Sequence, residues 1–464
     1  MSDLKKIGIV DDTFRFTTVE QLVADGVLHR PMDGNHGEQH PKVADYVSEG
    51  IPFIMANDLV QGRINYDDCN FITKKQADGL RKGFAKPGDV LVTHKATIGR
   101  TALVGDEANP YIMLTPQVTY YRIRNPEVLD KRYLRHYFDS SLFQQTLSMW
   151  AGAGATRAYL GITGQGKLPV VIPPISKQRK IAAILTAYDD LIEVNKRRIA
   201  LLEKMAEELY REWFVRLRFP GYQDTRFVKG MPKGAKVSPL REHIKHYIGG
   251  GWGADSPEGR ENQPVYVIRG TDFDAVAVGD VTSVPLRYEK FSSVESRKLQ
   301  PGDIVMENSV NHASRTSGKS ILITEGILKL FDGDVICASF CKLLRPANRE
   351  FAKLLHLNFK MIFEQGLFEI YQNVATNGIA NLQIERFLDR HQIVVPANID
   401  LAKINCLDVS VIARMQARLR ATRDLLLPRL MSGKLSVEDL DIQFPPSMQE
   451  ATAEQESLPE ARRA

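Results

Sequence analysis

The string KPGDVLV at residues 86–92 returns as QPGDIVM at 300–306, and NDL (57–59) returns as TDF (271–273) at the same separation. Two further echoes keep the order at a slightly larger separation: GAT (154–156) with VAT (374–376), and VVIPP (170–174) with IVVPA (393–397). Separated motifs that share order and a nearly constant offset describe a duplicated unit with loop insertions. The chain must therefore build one fold twice, and 464 residues suffice for each copy to bury a core of its own.

Between the copies lies a long helical pattern. LPVVIPP (168–174) reads as a short strand stopped by Pro173 and Pro174, and Ser176 stands where a helix N-cap is expected. Apolar residues then recur by fours and threes: Ile181, Leu185, Tyr188, Ile192, Ile199, Leu202, Ala206, Leu209 and Trp213, with Asn195 in the one polar slot. A register held this long is that of a helix packed along its length on another helix. At 1.5 Å per residue, residues 177–214 make a rod of about 57 Å, too long for the inside of one compact domain. Asn195 either fixes the register or faces a gap between the helices, and the register role is favoured. With the second half removed, the seam is expected to make residues 1–222 self-associate.

The first copy, 1–167, reads as mixed α/β, with strand-like runs at 52–55, 90–93, 101–104 and 117–123 and one helical stretch at 126–149. Lys74, Lys75, Arg81, Lys82, Lys86, Lys95 and Arg100 fall between and beside these strands, a grouping suited to phosphate. RLRFPGY (216–222) ends the rod and a Gly/Pro/Lys-rich linker follows. The second copy spans 223–390. A second helical arm is expected over about 399–427, with a rougher seam of Leu401, Ile404, Val411, Met415, Leu419 and Leu426. The pseudo-repeat makes the two long helices antiparallel. The boundaries are thus 1–167, 168–222, 223–390 and 391–440, with 441–464 expected to be disordered.

Other features bound the function. The net charge of +5 permits nucleic-acid binding without requiring it. Cys69, Cys337, Cys341 and Cys406 form no CxxC pair and no metal set, which points to reduced thiols and a cytoplasmic location. There is no apolar run of membrane-spanning length and no signal-peptide pattern. Catalytic motifs fail on inspection. NPYI (109–112) lacks the second proline of an adenine methyltransferase motif, and SGKS (317–320) has Ala313 where a P-loop needs its first glycine. Asp89 with Lys95, and Asp303 with Glu307, sit on the repeated strand, but the second copy has no matching lysine for a nuclease.

Candidate DNA contacts follow the repeated motifs. Lys95 and Arg100 come after the first PGD strand; Asn308, Asn311, Arg315 and Lys319 come after the second; Arg157 and Asn377 follow the matched AT dipeptides. Arg and Lys suit guanine edges and phosphates, and Asn suits adenine.

A duplicated α/β unit with a long helix after each copy resembles the specificity subunit of type I restriction-modification enzymes. The carrying residues are LPVVIPPISKQRKIAAIL (168–185), LIEVNKRRIALLEKMAEELYREWFVR (191–216) and RDLLLPRLMSGKLSV (423–437), similar to that family's central and C-terminal conserved regions. The resemblance implies an α+β architecture: two pseudo-repeated target recognition domains separated by two long antiparallel, coiled-coil helices. It implies a non-catalytic chain, each domain reading one half of a bipartite site in double-stranded DNA. The helices would set the spacing and dock two methyltransferase subunits, with motor-nuclease subunits joining. No cofactor or metal is expected on this chain; S-adenosylmethionine, ATP and Mg belong to the partners. The alternative from another class is a stand-alone coiled-coil DNA-binding regulator.

Overall fold

A computed structural model describes residues 5, 7–37, 40–105, 109–152, 158–310, 317–374, 379–397 and 399–449. The chain forms two compact units, residues 1–190 with 421–464, and residues 191–420, so both long helices pass from one unit to the other. The class is α+β.

In the first unit, strand Arg15–Thr18 pairs antiparallel with Pro169–Ile172, Phe16 lying opposite Val171. An antiparallel sheet runs in the order Met32–Asp33, Val118–Tyr121, Val90–Lys95, Thr97–Leu103. A second sheet contains one parallel pair, Ile51–Ile54 with Ile112–Leu114. The second unit repeats this plan. Lys236–Pro239 pairs antiparallel with Gln392–Val395. Ile244–Gly249, Cys341–Pro346, Ile304–Glu307 and Ser320–Leu322 form the antiparallel sheet, and Glu261–Ile268 with Val335–Cys337 is the parallel pair.

The repeated motifs turn out to be parts of this scaffold. Asp89 is buried and receives two hydrogen bonds from Arg122, Nε at 2.8 Å and Nη2 at 2.7 Å, while the Lys86 N–H donates to it at 2.8 Å. Asp303 does the same with Arg345, at 2.7 and 2.8 Å, and with the Gln300 N–H at 2.6 Å. A carboxylate this buried is stable only with such partners. The NDL and TDF motifs are likewise turn caps: Asp58 accepts the Met55 N–H at 2.6 Å and Asp272 accepts the Arg269 N–H at 3.0 Å. The two aspartates weighed as nuclease ligands therefore hold turns together.

The first long helix is Ile175–Tyr210, closed by a wider turn over Arg211–Val215. It starts one residue before Ser176, because the Pro174 carbonyl already accepts the Gln178 N–H at 3.0 Å. Ile181, Leu185, Ile192, Asn195, Ile199, Ala206 and Trp213 are buried, and Tyr188, Leu202 and Leu209 are half-buried. The second long helix, Ser410–Met431, is shorter than expected at its start. Asp408 interrupts the chain there, accepting the Ser410 N–H at 2.8 Å. Within the first unit the second helix runs back toward the start of the first: Asp189 meets Arg423 at 2.7 Å, and Lys177, nearer the first helix's start, meets Glu438, seven residues past the second helix's end, at 3.2 Å.

Three expectations fail. The buried residues of the second helix are Ser410, Ala413, Gln416, Arg420, Leu430 and Met431; of the expected seam, Ile404 is buried and Leu401, Leu419 and Leu426 are half-buried, but Val411 and Met415 are exposed. The stretch 126–149 is two helices, Lys131–Asp139 and Ser141–Trp150, because Ser140 is extended and caps the second through its Oγ. Residues 441–449 are not a loose tail: Ile442 and Met448 pack on the first core, and Ser447 Oγ donates to Asp190 at 2.6 Å. Residues 450–464 lie outside the described residues.

Candidate nucleic-acid interface

Strand Val90–Lys95 turns back at Ala96, whose φ of +63° is uncommon for a residue with a side chain. A third segment joins this hairpin tip. The Ala96 N–H donates to the Ala158 carbonyl at 3.0 Å, the Leu160 N–H donates to the His94 carbonyl at 3.1 Å, and Lys95 lies opposite Tyr159. Lys95 and Tyr159 therefore point from neighbouring strands, and both are exposed.

A buried polar network braces the tip from below. His94 Nδ1 accepts from Gln165 Nε2 at 2.8 Å and from the Thr119 hydroxyl at 2.7 Å, so its Nε2–H donates to the Pro116 carbonyl at 3.0 Å. Gln165 Oε1 takes the Tyr121 hydroxyl at 2.7 Å, and its amide also reaches the Leu160 carbonyl at 2.9 Å. Burial pushes the His94 pKa down to about 4, which keeps the ring neutral and able to accept. A network with its groups satisfied rigidifies what it carries.

The second unit has the same device with other residues. Ser309 and Val310 pair with Asn381 and Ala380, and the Leu382 N–H donates to the Asn308 carbonyl at 2.8 Å. Ser309 Oγ donates to Asn381 Oδ1 at 2.5 Å and accepts from Asn308 Nδ2 at 3.2 Å. Asn308 Oδ1 is buried without a hydrogen-bond partner among the described residues. By topology, Lys95 and Tyr159 in one unit stand where Ser309 and Asn381 stand in the other.

The structure thus brings Lys95 and Asn308 to equivalent tips. Arg100 is exposed on the returning strand, its Nη1 held to the Ala56 carbonyl at 3.3 Å and the Asn57 carbonyl at 3.4 Å. Lys319 is elsewhere, paired with Asp274 at 2.6 Å on the wall of a cavity that the first long helix lines. Of the wider basic group, Lys74 is paired with Asp78 and Lys82 with Asp33. Arg157, Asn311, Arg315 and Asn377 lie outside the described residues, as do 154–156 and 375–376. Tyr159 and Asn381 were missed because their place is fixed by pairing with a distant hairpin. The one available signal was their position after the repeated AT dipeptide. Among the described residues no group of His, Cys, Asp and Glu is placed to hold a metal.

A family model described as the type I restriction modification DNA specificity domain matches residues 35–204, a span containing the first tip, its brace and the first helix as far as Lys204. Residues 35–204 are thus similar to that specificity domain. The chain is 25% identical over 419 residues to the specificity subunit of the type I restriction enzyme MjaIX of Methanocaldococcus jannaschii, covering 86% of this chain and 90% of that one. It is also 25% identical over 167 residues, 36% of each chain, to the HindI specificity subunit of Haemophilus influenzae. Among solved structures, the type I S subunit from M. genitalium overlays 91% of this chain and 97% of its own, at 13% identity and a TM-score of 0.48. The HsdS subunit of Thermoanaerobacter tengcongensis overlays 92% and 98%, at 15% identity and a TM-score of 0.33. No described helix is long and apolar enough to cross a membrane.

Proposed function

We propose that this chain is a type I specificity subunit that recognises DNA and leaves catalysis to other subunits, that each unit reads one half of a bipartite DNA site through its hairpin tip, and that the long helices set the spacing between the halves. One observation carries the reading. The scaffold pairs Asp89–Arg122 and Asp303–Arg345 are kept in both units, while the tips they support present Lys95 and Tyr159 in one and Ser309 and Asn381 in the other. Different side chains on one frame suit different base edges.

The same helices offer a face for partners. Leu191, Val194, Leu201 and Met205 follow one stripe of the first helix, Val411 and Met415 lie on the second, and each is half exposed or more. Apolar stripes of this kind are covered in an assembly. We assign the docking of two methyltransferase subunits to them. Motor-nuclease subunits complete the enzyme, with S-adenosylmethionine, ATP and Mg on the partners, in the cytoplasm. The test is to express the chain with a type I methyltransferase subunit and map the methylated adenines. Two short half-sites at a fixed separation support the proposal; one contiguous site, or DNA binding by the chain alone with no partner retained, overturns it.

A further inference from the structure

Each unit closes on the long helices through a charged socket, and the two sockets carry opposite charge. In the first, Asp189 of the first helix is held between Arg135 of the unit's own helix, at 2.5 Å, and Arg423 of the second long helix, at 2.7 Å. Arg135 also reaches Asp139 at 3.0 Å, and Leu185 and Leu427 line the cavity beside them. Burial works against the Asp189 carboxylate, but Arg135 and Arg423 outweigh it and hold its pKa at about 2.

The second socket has the same parts in other chemistry. Aligning Ile199 of RRIALLEK (197–204) with Leu419 of ARLRATRD (417–424) sets Glu203 against Arg423, Glu207 against Leu427 and Tyr210 against Leu430. The same offset sets Asp189 against Val409, and Glu203 and Val409 do line the second socket, as Arg423 lines the first. On the body side, Arg135 and Asp139 correspond to His356 and Lys360. Here Lys360 takes Glu207 at 2.5 Å and Glu203 at 3.8 Å, and Asn358 donates to the Tyr210 hydroxyl at 2.8 Å. The incoming helix brings a cation to a carboxylate in one socket, and carboxylates to a cation in the other.

A second copy of either half would bring the wrong sign. The first helix of another chain, entering the first socket, places Glu203 beside Asp189 and Asp139, three carboxylates against the single cation Arg135, and sets Glu207 against Leu185. The second helix of another chain, entering the second socket, places Arg423 beside Lys360. Like charges brought together in such sites, the first buried and the second partly buried, are disfavoured.

We propose that the sockets are keyed by charge, so that each accepts the long helix from the other half of its own sequence and refuses the matching helix of a second copy. The apolar seam by itself favours self-association of residues 1–222; the sockets oppose it. The keying concerns assembly and is independent of whether the tips read DNA.

The test uses the full chain with a protease site placed at the exposed turn Lys229–Gly230, cut after folding. Isotope-labelled and unlabelled cut protein are mixed under conditions where the labels scramble between pairs, and the species are counted by native mass spectrometry. The expected result is only pairs of one N-terminal with one C-terminal fragment. Pairs of two N-terminal fragments should appear with E203R plus E207L, and pairs of two C-terminal fragments with R423E plus L427E. Like pairs from the unaltered chain in statistical proportion overturn the proposal. So does a failure of both altered chains to give any like pair.

Discussion

Replacing Asp89 with alanine separates a scaffold role from a catalytic one. The substitution leaves the Arg122 guanidinium, less than a third exposed, without its carboxylate and with only the Phe84 carbonyl as acceptor, and leaves the Lys86 N–H unpaired in a turn. Breaking a buried charged pair from one side costs about 3–5 kcal/mol. Arg122 can partly rehydrate, which places the loss near the lower figure, about 3 kcal/mol. For a unit of this size, each kcal/mol lowers the melting temperature by roughly 2–4 °C, so the first unit should melt about 6–12 °C earlier. Asp303→Ala, which frees Arg345 in the same way, should do the same to the second unit only. Differential scanning calorimetry with hydrogen exchange on each unit measures both effects. If either variant kept its stability and yet abolished DNA modification by the assembled enzyme, the carboxylate would be chemical and the scaffold argument would be wrong.

Acid should destabilise both units. Burial lowers the pKa of His94 to about 4 and of His136 and His356 to about 3, against about 6.5 unfolded, so the neutral rings stabilise the fold above pH 6.5. That contribution falls with pH by up to about 1.4 kcal/mol per pH unit for each ring until the folded value is reached, and urea midpoints from pH 7 to pH 4.5 should show it. His356→Gln should flatten the slope for the second unit; an unchanged slope contradicts the assignment. Lys95→Ala should weaken DNA binding and reduce the salt dependence by about one ion, whereas an unchanged salt slope removes Lys95 from the phosphate contacts. Leu201→Asp with Met205→Asp should leave melting unchanged and abolish retention of the methyltransferase subunit; loss of folding instead would place that face inside the protein.

What the sequence made legible has a physical pattern. The duplication was readable because Asp89, Asp303, Asp58 and Asp272 each cap a turn by accepting the backbone N–H three residues earlier, so their strings survive intact even though Arg122 and Arg345 lie far along the chain. The first helix was readable because its buried stripe is apolar. On the first half of the second helix the buried residues are Ser410, Ala413, Gln416 and Arg420, and hydrophobic periodicity picked the exposed Val411 and Met415 instead. Residues 441–449 looked like a tail because their anchors, Ile442, Ser447 and Met448, are spaced without a period. Lys319 was drawn to the site by sequence proximity, yet Asp274 holds it elsewhere. Tyr159 and Asn381 were beyond local reading, since only the hairpins at Lys95 and Ser309 give them a place.

The central claim is that each tip reads its own half-site. The most direct measurement is a methylome comparison of the assembled enzyme before and after Asn381→Ala with Asn308→Ala. The account predicts that bases change or become degenerate in one half-site only, while the other half and the spacing stay as they were. Changes in both half-sites, or in neither while modification continues, would contradict it.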